Sequence, residues 1–422
     1  MQRFQCRVIV CAFAFLFFGS ALSAPAAHAA DATFIPLGFP AGGSFSKAHG
    51  VSGDGNVAVG ESHTASGNTH PIRWQVGSIR DLGTLRGDGY SAVARATSYD
   101  GGVVVGSSDN EFVTQPYLVI PPYGPTGSPL HIDVTEAFRW EADDMAGLGV
   151  PEEEACSIGC MCCWSEPGES DAVDLSEDGA VALVNTGFYG TSRANRWFDG
   201  GLTQIDAGGA DAFGVALSGE GLVAVGVRLL DPPEGWLASW SPGGDPYPEV
   251  TLPGIPSDVS TDGEVVFGYI GAIGDQLGYR WTPGGSTTIP GGIPTATSGA
   301  GHAAVGQSAG LASVWDRTNG WRDLEATLIS LYSLDSELAG WQLIEATGIS
   351  DDATTIVGYG TNPGGDTEAW AVALPPNFFP AELAIIPAMS TNRLLAFGLA
   401  LLMVAAWQLH GLDRPRAPRT RV

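Results

Sequence analysis

Four cysteines crowd into eight residues. The run CSIGCMCC holds Cys156, Cys160, Cys162 and Cys163. Thiols this close can pair as local disulfides, bind a metal as thiolates, or stay free. A structural zinc site presents two separated C-x2-C pairs, and the spacing here, C-x3-C-x-C-C, does not. An even count favours two disulfides in an oxidising compartment, with three pairings open. Other chemistry-bearing residues are scattered. His49, His63, His70, His131 and His302 include no two at metal-ligand spacing. Asp143-Asp144, 152–154 (EEE) and Asp351-Asp352 read as solvated acidic runs. Ser44-Phe45-Ser46-Lys47 has the form S-x-x-K but lacks the partner motifs and falls in an expected inter-strand loop. There is no H-E-x-x-H, no phosphate-binding loop, no G-x-S-x-G and no calcium loop of the D-x-[DN]-x-[DN]-G type. No catalytic residue, metal site or cofactor is expected.

The ends of the chain set its address. Residues 1–29 carry Arg3 and Arg7, an apolar run over 8–18, and a small-residue cleavage site at Ala27-His28-Ala29. That is the layout of a secretory signal peptide, which takes Cys6 and Cys11 with it. The apolar run is too short to span a bilayer comfortably. The formal charge of the 422 residues is −27, and Lys47 is the sole lysine. Both termini are basic, so the segment between them is more acidic still. Such a surface repels phosphate backbones and excludes nucleic-acid binding, while it favours solubility.

Between the ends lies a repeat, which sets the fold. Its copies are SGDGNVAVG from Ser52, SYDGGVVVG from Ser98, SEDGAVALV from Ser176, SGEGLVAVG from Ser218, STDGEVVFG from Ser260, SGAGHAAVG from Ser298 and SDDATTIVG from Ser350. Serine opens all seven; the fourth position is Gly except at Ala353; the last is Gly except at Val184. A tryptophan follows each copy: Trp74, Trp140, Trp197, Trp240, Trp281, Trp315 and Trp370. Short β-branched runs such as VAVG and VVFG predict strands, and the Asp-Gly before them predicts a tight turn with Gly at φ > 0. The Ser hydroxyl can bond backbone N–H groups just ahead and fix the turn. The terminal Gly, as at Gly60, Gly106 and Gly226, suits close backbone approach. Asp54 becomes Glu220 in one copy and Ala300 in another, so the loop has no shared cation role. Each tryptophan supplies a large surface for burial between neighbouring sheets.

About four short strands per unit, repeated seven times, predict an all-β chain folded as a β-propeller. An open solenoid or two packed sheets is the alternative. The last unit has only three clear runs before AVALPP. The N-terminal stretch ATFIPLGFPAGGS resembles the end of the first unit, IRDLGTLRGDGYS. Residues 34–38 are therefore expected to complete the last blade, close the ring and remove its open edge. Three insertions interrupt the pattern: a Pro/Gly-rich one at 114–133, the cysteine-bearing one at 149–170, and a helix predicted from Leu324, Leu328, Leu331 and Leu338. Residues 394–409 are mainly apolar and precede four arginines, which predicts a transmembrane helix with a cytoplasmic C-terminus.

The units resemble the HAF repeats of exported bacterial proteins, named for a His-Ala-Phe motif near the tryptophan strand. The nearest run here is EAFRW, 136–140, with Glu in place of His, and the last unit is similar throughout. The resemblance covers roughly 38–374 and implies an extracellular repeat protein without assigned catalytic residues. The tail resembles an IPTL-type C-terminal protein-sorting signal. Its motif is IPAMS, with Ile386, Pro387 and Ser390 matching and Ala388 and Met389 departing. The resemblance implies a sorting protease that cuts near the motif and releases or transfers the domain; a permanent anchor is the alternative. The expected organisation is a signal peptide (1–29), a propeller (30–376), a linker with the sorting motif (377–390), a membrane helix (391–412) and a basic cytoplasmic tail (413–422).

Two functions from different classes fit. One is an exported, surface-associated or secreted binding or structural module for an unidentified extracellular ligand, held to the membrane by its C-terminal helix. The other is a propeller enzyme, a glycan hydrolase or lyase, with acidic residues converging on the central channel. An enzyme would place carboxylates from separate strands near the axis with displaced proton affinities. A channel lined by Gly, Ala, Ser and Val alone would exclude it.

Overall fold

The computed structural model describes residues 31–380, except 76, 115–116, 119–127, 158–161, 189–190, 206–210, 242–248 and 273, with backbone alone at 117–118, 153–157, 162 and 164. The expected signal peptide, the sorting motif at Ile386, Pro387 and Ser390, the membrane helix and the basic tail lie outside the described residues. Among the described residues no helix is long and apolar enough to cross a membrane.

Seven four-stranded antiparallel sheets form the blades of a propeller. In chain order they span 46–81, 92–147, 169–204, 212–252, 255–289, 293–323 and 342–373. The first strands of successive blades adjoin one another, and that of blade 7 adjoins that of blade 1, so the ring closes around an axis. Blade 7 draws three strands from the C-terminal end of the repeat region. Its fourth is Thr33–Pro36, antiparallel to Thr367–Ala373 with Phe34 opposite Val372. The expected closure by the N-terminal segment is therefore observed. It also buries Phe34 edge-on against Trp341, with ring centroids 5.0 Å apart.

The repeated serine builds the turn between the first and second strands. In blade 1 the Ser52 hydroxyl accepts the Val57 N–H at 3.0 Å and donates to Asp54 at 2.6 Å. Asp54 then accepts the Asn56 N–H. Ser98, Ser176, Ser260 and Ser350 repeat this set with Asp100, Asp178, Asp262 and Asp352. Ser218 and Ser298 keep the bond to the N–H five residues on. All seven serines are buried. The carboxylates act as turn clamps. Bonds from the Gly102 N–H and the Ser98 hydroxyl hold the Asp100 carboxyl below its ordinary value.

The tryptophans fall into three registers. Trp74, Trp140, Trp197, Trp281 and Trp315 each lie opposite the residue six after the repeat serine. In blade 4 that place is taken by Ala238, and Trp240 comes two residues later. In blade 7 it is Val372, and Trp370 comes two residues earlier, opposite Gly358. Trp236 in blade 4 lies opposite Gly226 in the same way. Glycine is required at both places, because a Cβ would strike the indole and the facing backbone carbonyl. The helix α1, Leu324–Tyr332, substitutes for the absent tryptophan between blades 6 and 7: Leu324, Leu328, Trp341 and Phe34 join Val372 in one buried cluster. α1 is capped by Asp323, whose carboxylate accepts the Ala326 N–H at 2.8 Å, and ends where Ser333 turns left-handed. Leu338 thus lies beyond the helix that sequence periodicity extended to it, while Leu331 faces solvent.

Six blades place Gly at the fourth repeat position with φ between 64° and 75°: Gly55, Gly101, Gly179, Gly221, Gly263 and Gly301. A Cβ on Gly101, Gly179, Gly263 or Gly301 would strike Val57, Val103, Val223 or Val265 of the preceding blade. Blade 7 departs at both partners. It carries Ala353 at φ 59°, and the residue of blade 6 at the place of those valines is Ala303. Both alanines belong to one buried cluster. Restoring the larger partner alone, Ala303→Val, is expected to overpack this joint and cost about 2 kcal/mol. Adding Ala353→Gly should recover at least half of that loss, which denaturant unfolding of the single and double variants will measure.

Candidate functional site

The channel on the propeller axis holds two carboxyl groups raised well above their ordinary range. Each of the seven innermost strands carries a bulge at one place, three residues before its repeat serine: His49, Arg95, Val173, Val215, Ser257, Thr295 and Thr347. A bulge sharpens strand twist and re-aims a side chain. These seven residues and their neighbours line an axial cavity of 210 Å³.

Two acids stand in it, each two residues before a repeat serine, where other copies have Gly50, Ala96, Ala216, Ala296 and Gly348. Asp174 of blade 3 accepts the Leu175 N–H at 2.8 Å and the Leu217 N–H of blade 4 at 2.6 Å. Asp258 of blade 5 accepts the Val259 N–H at 2.8 Å and the Thr297 N–H of blade 6 at 2.7 Å. Each carboxyl therefore ties two blades together and uses both oxygens on backbone. Crowding by the surrounding strands raises Asp174 to about 6. The same cause, joined by the charge of Asp174, raises Asp258 to about 8. Both residues are half-buried. Thr295 and Thr347 complete the set of ties by donating to Ala346 and Ala48 carbonyls of the next blade at 2.7 and 2.8 Å. Arg95 pairs with Asp171 across blades 2 and 3 at 2.8 Å.

One mouth of the channel is encircled by a hydrogen-bonded ring of backbone. Each repeat turn bonds to the next: Asp54 N–H to Tyr99 O, Tyr99 to Glu177, Glu177 to Gly219, Glu220 to Thr261, Thr261 to Gly299, Gly299 to Asp351, and Asp351 to Gly53, all between 2.8 and 3.1 Å. Tyr99, Glu177, Thr261 and Asp351 project from this ring, and Gly53, Gly219 and Gly299 at the equivalent places leave room for them.

The opposite face carries all three insertions. First strands run toward the serine turns and second strands run away, so second-to-third turns and blade-to-blade links share the other face. There the strands Val103–Thr114 and Leu130–Glu141 extend blade 2 into an arm. The cysteine insertion folds as Glu152–Ser157 paired with Cys162–Pro167, which pairs in turn with Tyr117–Leu118 from the Pro/Gly-rich insertion. Two insertions far apart in sequence thus form one three-stranded sheet. α1 leaves blade 6 on the same face. Arg86 steadies the arm with bonds to Glu111 at 2.8 Å and Asp133 at 2.6 Å. Val113 and Leu130 remain exposed on it.

Cys163 is buried and disulfide-bonded, and Cys156 lies opposite it on the paired strands. The side chains of Cys156, Cys160 and Cys162 lie outside the described residues. The histidines go to separate partners: His49 to Glu61, His70 to Asp81, His131 to Glu111, His63 to the Phe45 ring and His302 to Ser298. Among the described residues no group of three or more metal-ligating side chains forms. The Ser-x-x-Lys run enters an innermost strand instead of lying in a loop. Ser46 donates to Gly38 O and accepts the Ala369 N–H, both at 3.0 Å, while Lys47 lies over the Tyr359 ring. It is part of the ring closure. Asp174, Asp258 and Glu177 were not singled out by the sequence. The available signal was an acid interrupting a position otherwise held by Gly or Ala beside the repeat serine.

No protein-family profile matches the sequence, and no curated protein matches it. Solved structures similar to it include an oligogalacturonate lyase in complex with manganese, 11% identical with a TM-score of 0.48, covering 82% of this chain and 98% of that one. A puromycin-hydrolyzing peptidase of Mycobacterium tuberculosis is 15% identical with a TM-score of 0.43, covering 78% and 51%. TolB from Acinetobacter baumannii is 9% identical with a TM-score of 0.39, covering 64% of this chain, which spans 63% of TolB's length. These likenesses assign no activity to this chain.

Asp258 gives the channel a pH signature. Unfolded, its carboxyl ionises near 4; folded, it keeps its proton to about 8. Between those values the unfolded chain binds fewer protons, so this group's contribution to stability falls as pH rises. Asp258→Asn removes the titration but loses an acceptor for one backbone N–H. The variant should melt below the native protein at pH 5, and the gap should narrow by pH 8.5. Thermal melts at the two pH values check this, and a gap that widens would sink it.

Proposed function

We propose that this chain is an exported binding or structural module without catalytic activity, and that the face bearing the insertions meets its extracellular partner. The observation that carries this reading is the convergence of three separate insertions on one face of the propeller. Loops on a rigid scaffold are where binding residues concentrate. The channel acids support it from the other side, because both oxygens of Asp174 and Asp258 are engaged by backbone N–H groups. A variant with the arm cut back to a two-residue turn, and a second with 152–167 replaced by Gly-Ser, should each bind at least ~10-fold more weakly to an array of envelope and matrix polysaccharides and envelope proteins, a loss of about 1.4 kcal/mol. Their melting temperatures should stay near that of the native protein. Unchanged binding by both variants overturns the reading.

A second reading is a propeller enzyme acting on glycans. It is favoured by the two acids from separate blades, both raised in proton affinity, in a channel that also carries His49 and Arg95. Turnover of any polysaccharide that is abolished by Asp174→Asn or Asp258→Asn would select it.

The proposed route is export by the signal peptide, membrane retention by the C-terminal helix, and cutting near IPAMS by a sorting protease; two local disulfides hold the cysteine insertion. Intact masses of the protein from membrane and medium fractions, with and without reductant, test all four points. The expected membrane form lacks residues 1–29, the medium form also lacks the tail after the motif, and reductant adds four protons to each. A membrane form of full length, or a medium form retaining 391–422, contradicts the route.

A further inference from the structure

The joint that closes the ring, between blades 7 and 1, is packed differently from the others. On the third strand of each blade one residue lies opposite the position seven after the repeat serine. In order these are Arg73, Arg139, Arg196, Leu237, Arg280, Val314 and Ala371. The larger ones reach into the next blade. Arg139 lies over the Trp197 ring at 6.0 Å, and Arg196 over Trp240 at 5.2 Å. Arg73 and Arg280 donate from Nε to the turn carbonyls of Gly101 and Gly301. Leu237 packs in one cluster with Trp281. Blade 7 has only the methyl of Ala371 to set against Trp74 of blade 1. The position five after the serine changes as well: valine in five blades, it is Thr355 here.

A cavity of 460 Å³ lies in this joint. Trp74, Val357 and Ala371 are its buried lining, and Ile35 and Ile79, from the outermost strands of the two blades, are its exposed rim. Asn56, Gln75, Ser78 and Thr355 gather at the end nearest the serine turns, and Leu37 lies toward the other. Among the described residues no charged side chain lines it, in a chain whose formal charge is −27.

We propose that this seam binds a small uncharged molecule, a flat apolar ring bearing one hydroxyl. The cavity has the size of small-molecule sites, roughly 300–1,000 Å³, and their makeup of apolar walls with a few polar groups that orient the ligand. A charged ligand would leave water for a lining that offers it no counter-charge. The ring follows from the neighbouring joints. In blades 2 and 3 a planar guanidinium covers the next tryptophan, and at Trp74 that place is open to a planar group of the ligand. The hydroxyl follows from the polar end, where Thr355 supplies a donor and acceptor in place of a valine methyl. The site is independent of whatever the insertion-bearing face binds.

Titration calorimetry of the full chain in detergent with 2-naphthol, uncharged at pH 6, tests it. Partition into micelles is common to native protein and variants and cancels in the comparison. The native protein should bind one equivalent. Ala371→Leu places blade 4's own residue in the gap. It should weaken binding at least ~10-fold, with the unliganded variant melting at or above the native protein. Ala373→Leu fills the cavity from the next inward-facing position and serves if the first variant does not fold. Naphthalene-2-sulfonate, the same ring with a fixed charge, should bind the native protein at least ~10-fold more weakly than 2-naphthol. Absence of binding by the native protein overturns the site. So does a folded, cavity-filled variant that keeps native affinity, and equal affinity for the sulfonate overturns the uncharged class.

Discussion

In each blade a buried serine hydroxyl accepts the N–H five residues ahead, and the turn this creates is the point on which the propeller depends. That bond holds the first strand against the second at the one end where seven blades must meet within a narrow circle. Once the turn is set, its remaining backbone groups point sideways, and each turn bonds to the next until the seventh reaches the first. The left-handed residue at the fourth position is a consequence of the same turn. So is its close fit against the preceding blade, which admits a Cβ only where the facing valine has become Ala303.

The bulge three residues before the serine follows from the same crowding. A straight strand would carry its ladder through to the axis; an extra residue twists each innermost strand away and leaves backbone groups unpaired in the channel. Asp174, Asp258, Thr295 and Thr347 satisfy those groups and cross from blade to blade as they do so. This gives the acids at those positions a structural role in tying adjacent blades together. It also explains their raised proton affinities, since the twist that frees the N–H groups also packs strands around the carboxyls.

The last blade shows how closure is secured where the repeat weakens. It lacks a fourth strand of its own, a tryptophan in the common register and a glycine at the left-handed position. Thr33–Pro36 supplies the strand, α1 with Trp341 and Phe34 supplies the buried bulk, and the small Ala303 makes room for Ala353. Joining the two ends of the propeller in one sheet covers the edge that Thr367–Ala373 would otherwise leave unpaired.

Much of this was written in local patterns. The serine, the Asp-Gly turn and the β-branched run after it determine blade number and strand positions, because a tight turn and a short strand depend on residues within about ten positions of one another. The match between the two ends of the chain determined how the ring closes. What the sequence could not decide was everything that arises between blades. Thr347 and Ala48 stand 299 residues apart in the numbering yet share a hydrogen bond. Asp174 looks like any strand residue until its second oxygen finds Leu217 of the next blade. The cysteine and Pro/Gly insertions become one sheet on one face only after blade 2 has folded. The tryptophans share a motif but not a register, since each is placed by the space its neighbouring blade leaves. Those contacts join residues remote in sequence, and only the closed ring brings them together.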